Sequence, residues 1–254
     1  MILIFDLDDT LYDESSFVIS GLGAVARLGE DVFGWDAESS LAFMREVLER
    51  EGRGRVFDRW LELHGHWSKA RVAGCVKIYR HHRPRLELFP TARVVLEQFR
   101  GRVPLYLVTD GHKIVQKNKV DALGLFPEFR RVFITHRFGI HHAKPSTHCF
   151  ERIRQAEGCS WGDMVYVGDN PSKDFVNLNP LGALTVRVQT GGHRNVVALP
   201  GHDAQVSIPD LNALPEVLAA HFQVPPRYGS GLAGDHRRDS AGLSSWPGTG
   251  PQTR

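Results

Sequence analysis

Short apolar runs recur along the chain and are separated by polar residues and glycines. They cover residues 1–5, 105–108, 132–134, 164–167 and 184–188. Most are apolar at nearly every position, which is typical of strands whose two faces are both covered in a parallel sheet. We predict a buried strand from each run.

Helical patterns lie between the later strands. Residues 91–99, 114–123 and 146–156 carry apolar side chains at helical spacing, and the last two end at glycines of the kind that terminate helices. Thr91 is the expected N-cap of the first of these helices. The alternation predicts an α/β fold with a doubly wound, Rossmann-like parallel sheet, which binds ligands at the carboxyl ends of its strands.

One long segment breaks this alternation. Residues 14–87 show no good strand pattern, but they carry apolar residues such as Met44 and Val47 at helical spacing. We therefore predict a core domain built from residues 1–13 and 88–224. A small all-helical cap domain, residues 14–87, is expected to be inserted after the first strand.

The last thirty residues differ in composition from the rest of the chain. Residues 225–254 contain six glycines and four prolines but only scattered apolar side chains. Such a stretch buries too little surface to order itself, and we predict a disordered C-terminal tail.

Composition and charge narrow the range of partners. The chain has 42% hydrophobic and 24% charged residues and a net charge of +2, and the four arginines and two aspartates of residues 225–254 account for that charge. The remaining body is formally neutral, which argues against a nucleic acid polymer or a membrane as the main partner.

Cysteine usage and hydropathy indicate the compartment. The three cysteines lie far apart without a CxxC pair, and no apolar run reaches the roughly 18 residues that span a bilayer. We expect a soluble, cytoplasmic monomer or homodimer.

Several polar residues follow the predicted strands. Asp6 and Asp8 come after the first strand, Thr109 after the second and Asp169 after the fourth, while Lys144 lies farther beyond the third. Because the carboxyl ends of parallel strands meet at one edge of a sheet, we expect these side chains to share a crevice.

Phosphoryl transfer through an aspartyl intermediate uses this set of side chains. A carboxylate attacks phosphorus, and a hard divalent ion such as Mg²⁺ holds the anionic phosphate against it. Asp6 and Asp8 point the same way in an extended chain, so one can attack while the other moves protons. Thr109 and Lys144 would hold phosphate oxygens in the transition state.

These residues stand in four motifs that resemble those of the haloacid dehalogenase (HAD) superfamily. In order, they are D-L-D-D-T at residues 6–10, L-Y-L-V-T-D-G at residues 105–111, Lys144-Pro145, and G-D-N-P-S-K-D at residues 168–174. The resemblance covers the chain to about residue 222. It is strongest to a branch of small-molecule phosphatases that includes pyrimidine nucleotidases.

The resemblance implies a role for each matching carboxylate. Asp6 is then the nucleophile, and Asp8 is the general acid and base. Magnesium is expected to be bound by the Asp6 carboxylate, the backbone carbonyl of Asp8 and the Asp169 carboxylate. Asp174 is expected to support the site by bonding metal-bound water or Lys144.

The resemblance also implies a phosphate-binding set and a mobile cap. Thr109, Asp110, Gly111 and Lys144 are expected to bind the substrate. The cap would close over the site and select the substrate. One departure is visible: the family often has a Gly-Ala pair after its fourth motif, where this chain has Asn177-Leu178.

Four functions stay open from the sequence. The leading prediction is a Mg²⁺-dependent phosphatase acting on a nucleoside monophosphate or sugar phosphate. The alternatives are a phosphomutase, a haloacid dehalogenase and a non-catalytic binding protein. A departing halide needs no proton, and dehalogenases of the family lack the second Asp, so Asp8 argues against dehalogenation.

Overall fold

The computed structural model describes residues 1–222, which form a parallel sheet flanked by helices. The predicted tail, residues 225–254, lies outside the described residues. Within the described part the sheet has six strands in the order β3-β2-β1-β4-β5-β6. The strands are β1 Ile2–Phe5, β2 Leu105–Thr109, β3 Arg131–Ile134, β4 Met164–Gly168, β5 Leu184–Val188 and β6 Val206–Ile208.

Eight α-helices accompany these strands in residues 1–222. They are α1 Glu14–Phe33, α2 Ala37–Glu51, α3 Val56–Leu63, α4 Lys69–His81, α5 Pro90–Phe99, α6 Lys113–Ala122, α7 His148–Glu157 and α8 Leu214–Phe222. The predicted α/β fold with a doubly wound parallel sheet is confirmed.

Both faces of the sheet are covered, as the continuous apolar runs predict. Along β1, Leu3 and Phe5 join a core that includes residues of α5, α6 and α8, while Ile2 and Ile4 join a second core with α7. This division follows from the two-residue period of side chains in a strand. Every residue of β1 is therefore buried, and polar groups enter only where the strand ends.

The sheet order defines the position of a ligand crevice. The chain winds outwards from β1 through β2 to β3, and then returns to place β4 on the other side of β1. Ligands of open parallel sheets bind outside the carboxyl ends of the strands at such a reversal. The carboxyl ends of β1 and β4 thus mark the expected site.

The helices α1 to α4 form a segment, residues 14–81, with a hydrophobic core of its own. Trp60 is the largest buried side chain of this core and is 1% exposed, and Val25, Met44 and Cys75 are buried in the same core. The connection from residue 82 to α5 has no regular structure. We call residues 14–81 the helical segment; its action as a cap stays a prediction.

One local expectation is wrong, and one strand was not predicted. Thr91 does not cap α5, because the helix begins one residue earlier with Pro90 in its first turn and Phe89 at the N-cap position. The short strand β6, which pairs with β5, has no counterpart among the predicted strands.

No helix in residues 1–222 is both long enough and apolar enough to cross a membrane.

Candidate active site

Asp6 and Asp169 leave the sheet side by side. Asp6 follows β1 and Asp169 follows β4, and the backbone N–H of Asp6 donates to the carbonyl of Val167 over 2.8 Å. Their carboxylates line a cavity of about 390 Å³ together with Asp8. The cavity lies at the sheet edge that the topology indicates.

Three buried carboxylates form a compact cluster at this edge. One carboxylate oxygen from each of Asp6, Asp169 and Asp174 lies within 4.8 Å of those of the other two. The ammonium of Lys144 lies 2.8 Å from Asp6 Oδ1 and 2.7 Å from Asp174 Oδ1. The structure thus brings together four residues that the sequence predicts to share a site.

The cluster has more negative charge than one lysine balances. Burial, together with the neighbouring carboxylates of Asp174 and Asp169, raises the pKa of Asp6 to about 7 despite the Lys144 ammonium. Burial also raises the pKa of Asp169. A further cation between these two carboxylates would offset the cost of ionising them.

Asp174 and Lys144 form the paired part of the cluster. Burial by itself would raise the pKa of Asp174, but the Lys144 ammonium holds it below its usual value. Burial would lower the pKa of Lys144, but Asp174 and Asp6 raise it well above its usual value. Lys144 is therefore a fixed positive charge, and Asp6 and Asp169 are left with oxygen atoms of the kind that Mg²⁺ prefers.

Asp8 lies on the cavity wall and is held by three donors. The Tyr12 hydroxyl and the Lys119 ammonium each lie 2.7 Å from Asp8 Oδ1. The Gln116 amide donates to Asp8 Oδ2 over 2.8 Å and to the Thr109 hydroxyl over 2.5 Å. Asp8 is therefore separate from the Lys144 pairing and opens towards the cavity.

The expected phosphate-binding loop lies at the same edge of the sheet, but the side chains of Thr109 and Asp110 accept hydrogen bonds from other residues of the protein. Thr109 ends β2 and is fully buried. The Asp110 carboxylate accepts hydrogen bonds from the Thr135 hydroxyl at 2.6 Å and from the backbone N–H of Lys144 at 3.1 Å. Gly111 lines the cavity with a φ of 134°. Asp110 thus ties the loop after β2 to Lys144.

Asp9 lies in the turn that follows β1. Its φ of 54° lies in the left-handed region, which an Asp tolerates better than most residues. Its carboxylate accepts from the backbone N–H groups of Glu14 and Gly192, both at 2.9 Å. Asp9 therefore joins the loop after β1 to the loop after β5.

Sequence reasoning missed His193, Gln116 and Lys119. His193 follows β5, and its Nδ1 lies 2.7 Å from Asp169 Oδ2, a contact that raises the pKa of His193. Gln116 and Lys119 are three residues apart on α6, so they share a helix face. That spacing indicates a shared helix face, but it does not indicate that this face meets Asp8.

Comparison with known proteins places the chain in a family. A model of the haloacid dehalogenase-like hydrolase family matches residues 1–175. The chain belongs to this family, and the predicted hydrolase class is confirmed.

Two named relatives and one solved structure show how far the likeness extends. The glyceraldehyde 3-phosphate phosphatase of Methanocaldococcus jannaschii is 28% identical over 85% of this chain and 94% of the relative. The phosphoserine phosphatase of Thermus thermophilus is 32% identical over 55% of each chain. The magnesium-bound HAD-hydrolase YfnB of Bacillus subtilis has 18% identity and a TM-score of 0.61 over 85% of this chain and 97% of YfnB, a likeness of fold.

Proposed function

We propose that the protein is a Mg²⁺-dependent phosphatase that hydrolyses a small phosphorylated metabolite through an aspartyl-phosphate on Asp6. The observation that carries the proposal is the buried Asp6 carboxylate, which lines a cavity together with Asp169 and contacts the ammonium of Lys144. Its relatives named as phosphatases support the same class of phosphoric monoester hydrolase.

The residues present fit a magnesium ion. Asp6 and Asp169 would hold it through their carboxylates, with the backbone carbonyl of Asp8 as a third ligand. When bound, the ion neutralises charge on the phosphate and permits an anionic nucleophile to approach. Lys144 contacts Oδ1 of Asp6 and His193 contacts Oδ2 of Asp169, so the other oxygen of each carboxylate would serve this role.

The protein groups divide the chemistry between them. Asp6 attacks phosphorus, and the bond to the leaving oxygen breaks as Asp8 gives that oxygen a proton. Asp8 then takes a proton from the water that attacks the phosphorus of the aspartyl-phosphate, which releases phosphate and restores Asp6. Lys144 and the loop at Thr109 stabilise the phosphate oxygens.

The cavity favours a small substrate. A volume of about 390 Å³ accommodates a nucleoside monophosphate or a sugar phosphate. The two relatives are named for phosphate esters of short carbon chains, glyceraldehyde 3-phosphate and phosphoserine. We include esters of this size in the proposed substrate class.

Asp8 favours phosphatase over dehalogenase chemistry. A halide leaves without a proton, whereas an alkoxide leaving group needs one, and Asp8 faces the same cavity as Asp6. The phosphomutase alternative requires the same residues, and it is distinguished by whether phosphate is released to water.

Phosphate release tests the proposal. We expect the protein to release phosphate from some members of a panel of nucleoside monophosphates, sugar phosphates, glyceraldehyde 3-phosphate and phosphoserine, only when Mg²⁺ is present. Asp6→Asn is the matched control and should release none. Release that continues in excess EDTA, or in Asp6→Asn, would contradict the proposal.

A further inference from the structure

Two side chains of α6 bind the Asp8 carboxylate, one at each of its oxygens. Lys119 Nζ lies 2.7 Å from Oδ1, and Gln116 Nε2 lies 2.8 Å from Oδ2. Tyr12, which is only four residues from Asp8, adds a bond to Oδ1. The contacts from α6 span more than one hundred residues of sequence, so the packing of α6 against the loop after β1 creates them.

Lys119 has a charged side chain that is almost completely buried. It is 2% exposed, and its ammonium lies 2.7 Å from Asp8 and 3.2 Å from Glu14 Oε1. It also lies 4.7 Å from the centre of the Phe17 ring. Glu14 is paired in turn with Arg53 of the helical segment at 2.6 Å.

Stability alone is a weak reason for this arrangement. Removing an ammonium from water costs several kcal/mol, and a buried ion pair often stabilises a fold no better than apolar side chains of the same volume. The contact does fix the direction of a carboxylate that has to meet a leaving group.

We propose that Lys119 and Gln116 are positioning residues that aim the Asp8 carboxylate at the leaving oxygen of the substrate. This inference rests on the proposed function, in which Asp8 is the general acid and base. Gln116 donates hydrogen bonds to both Asp8 and Thr109, so it also fixes the position of the Asp8 carboxylate relative to the phosphate-binding loop.

The arrangement predicts a dependence on the leaving group. A nitrophenolate leaves without help from an acid, whereas the alkoxide of glycerol phosphate needs a proton as the ester bond breaks. The ratio kcat/KM includes the departure of the leaving group and excludes the later hydrolysis of the aspartyl-phosphate. Comparing kcat/KM for these two esters therefore isolates the step in which Asp8 acts as an acid.

Lys119→Met is the test variant, since it keeps most of the length of the side chain and removes the charge. General acid catalysis contributes about 10²–10⁴-fold, and we expect Lys119→Met to lose on the order of 10–100-fold in kcat/KM for glycerol phosphate. The loss for 4-nitrophenyl phosphate should be at most about threefold. Lys117→Met is the matched control on the same helix, because Lys117 is exposed and pairs with Asp121; it should lose less than about twofold on either ester.

A double-mutant cycle separates positioning from general damage to the fold. In an Asp8→Asn background, Lys119→Met should cause no further loss on glycerol phosphate, since it acts through Asp8. Equal losses on both esters, or a full additional loss in the Asp8→Asn background, would overturn the inference and leave the phosphatase proposal intact.

The activity of the wild type and the folding of Lys119→Met are measured in parallel. Wild-type protein that hydrolyses neither glycerol phosphate nor 4-nitrophenyl phosphate nor any ester of the panel with Mg²⁺ would overturn both proposals. If circular dichroism shows that Lys119→Met does not fold, Gln116→Leu carries the same test. Its contact with Thr109 adds a loss common to both esters, so it should lose more on glycerol phosphate than on 4-nitrophenyl phosphate, and a loss equal for the two esters would refute positioning.

Discussion

Replacing Asp6 by asparagine should stabilise the metal-free protein at neutral and alkaline pH. Asn has nearly the same shape as a protonated Asp and removes the ionisable group from the carboxylate cluster. In the metal-free protein, the ionised Asp6 is buried beside Asp169 and Asp174, and the positive charges of Lys144 and Lys173 offset this only in part. The substitution therefore relieves repulsion while it abolishes the nucleophile.

The size of the effect follows from the pKa of Asp6. Folding raises this pKa from about 3.8 to about 7, so the folded state holds its proton more tightly than the unfolded state. The resulting stabilisation is fully present below about pH 4 and is lost progressively as the pH rises to about 7. A pKa difference of about three, at about 1.4 kcal/mol for each pH unit, corresponds to about 4 kcal/mol.

Urea unfolding in EDTA measures this effect. The difference in free energy of unfolding between Asp6→Asn and wild type should rise between pH 4 and pH 7 and then level off, with a plateau on the order of 4 kcal/mol higher than at pH 4. His193, whose pKa is also raised by its contact with Asp169, loses stabilisation in the same direction. Comparing the two proteins isolates the contribution of Asp6, because both contain His193.

Repeating the unfolding measurement with Mg²⁺ tests the proposed metal site. Mg²⁺ should stabilise wild type above pH 7, since it binds the folded state alone, and should stabilise Asp6→Asn much less. A difference between the two proteins that does not change from pH 4 to pH 8 would refute the electrostatic reasoning. Equal stabilisation of both by Mg²⁺ would remove Asp6 from the proposed metal site.

Two further substitutions test the structure around the site. Lys144→Met should lower the free energy of unfolding by about 3–5 kcal/mol at pH 7, measured in urea, because it leaves the buried carboxylates of Asp6 and Asp174 without their ammonium; an unchanged urea midpoint would contradict that pairing. Gly191→Ala should cost at least about 2 kcal/mol, because an added Cβ overlaps the Asp9 side chain and the residue has a φ of 63°. Gly201→Ala is the matched control, with a φ of 77° and open space around it, and a loss as large as that of Gly191→Ala would show that backbone strain alone is responsible.

The strands of the sheet could be predicted because burial leaves a continuous apolar pattern. The strand β6 was missed because it has three residues, of which Val206 is half-buried and Ser207 is exposed. The start of α5 was misplaced because its first turn is set by the ring of Pro90, while a polar residue such as Thr91 also fits the usual signal for a cap.

The strand-end residues of the site could be predicted because parallel topology brings the ends of neighbouring strands together. Asp6 and Asp169 needed only the placement of β1 and β4 beside one another. His193 could not be found in this way, because it meets Asp169 only where the loop after β5 folds back over the edge of the sheet. Lys119 likewise depends on how α6 packs, which local sequence patterns do not determine.

The central claim is that Asp6 forms a covalent bond to phosphorus. The protein is mixed with Mg²⁺ and an ester that it hydrolyses, and the reaction is stopped rapidly with acid. Mass spectrometry should then find phosphate on the peptide that contains Asp6. This phosphate should be absent from Asp6→Asn and from wild-type protein that reacts in EDTA without Mg²⁺. Phosphate on a different residue, or turnover of the same ester by Asp6→Asn, would contradict the account.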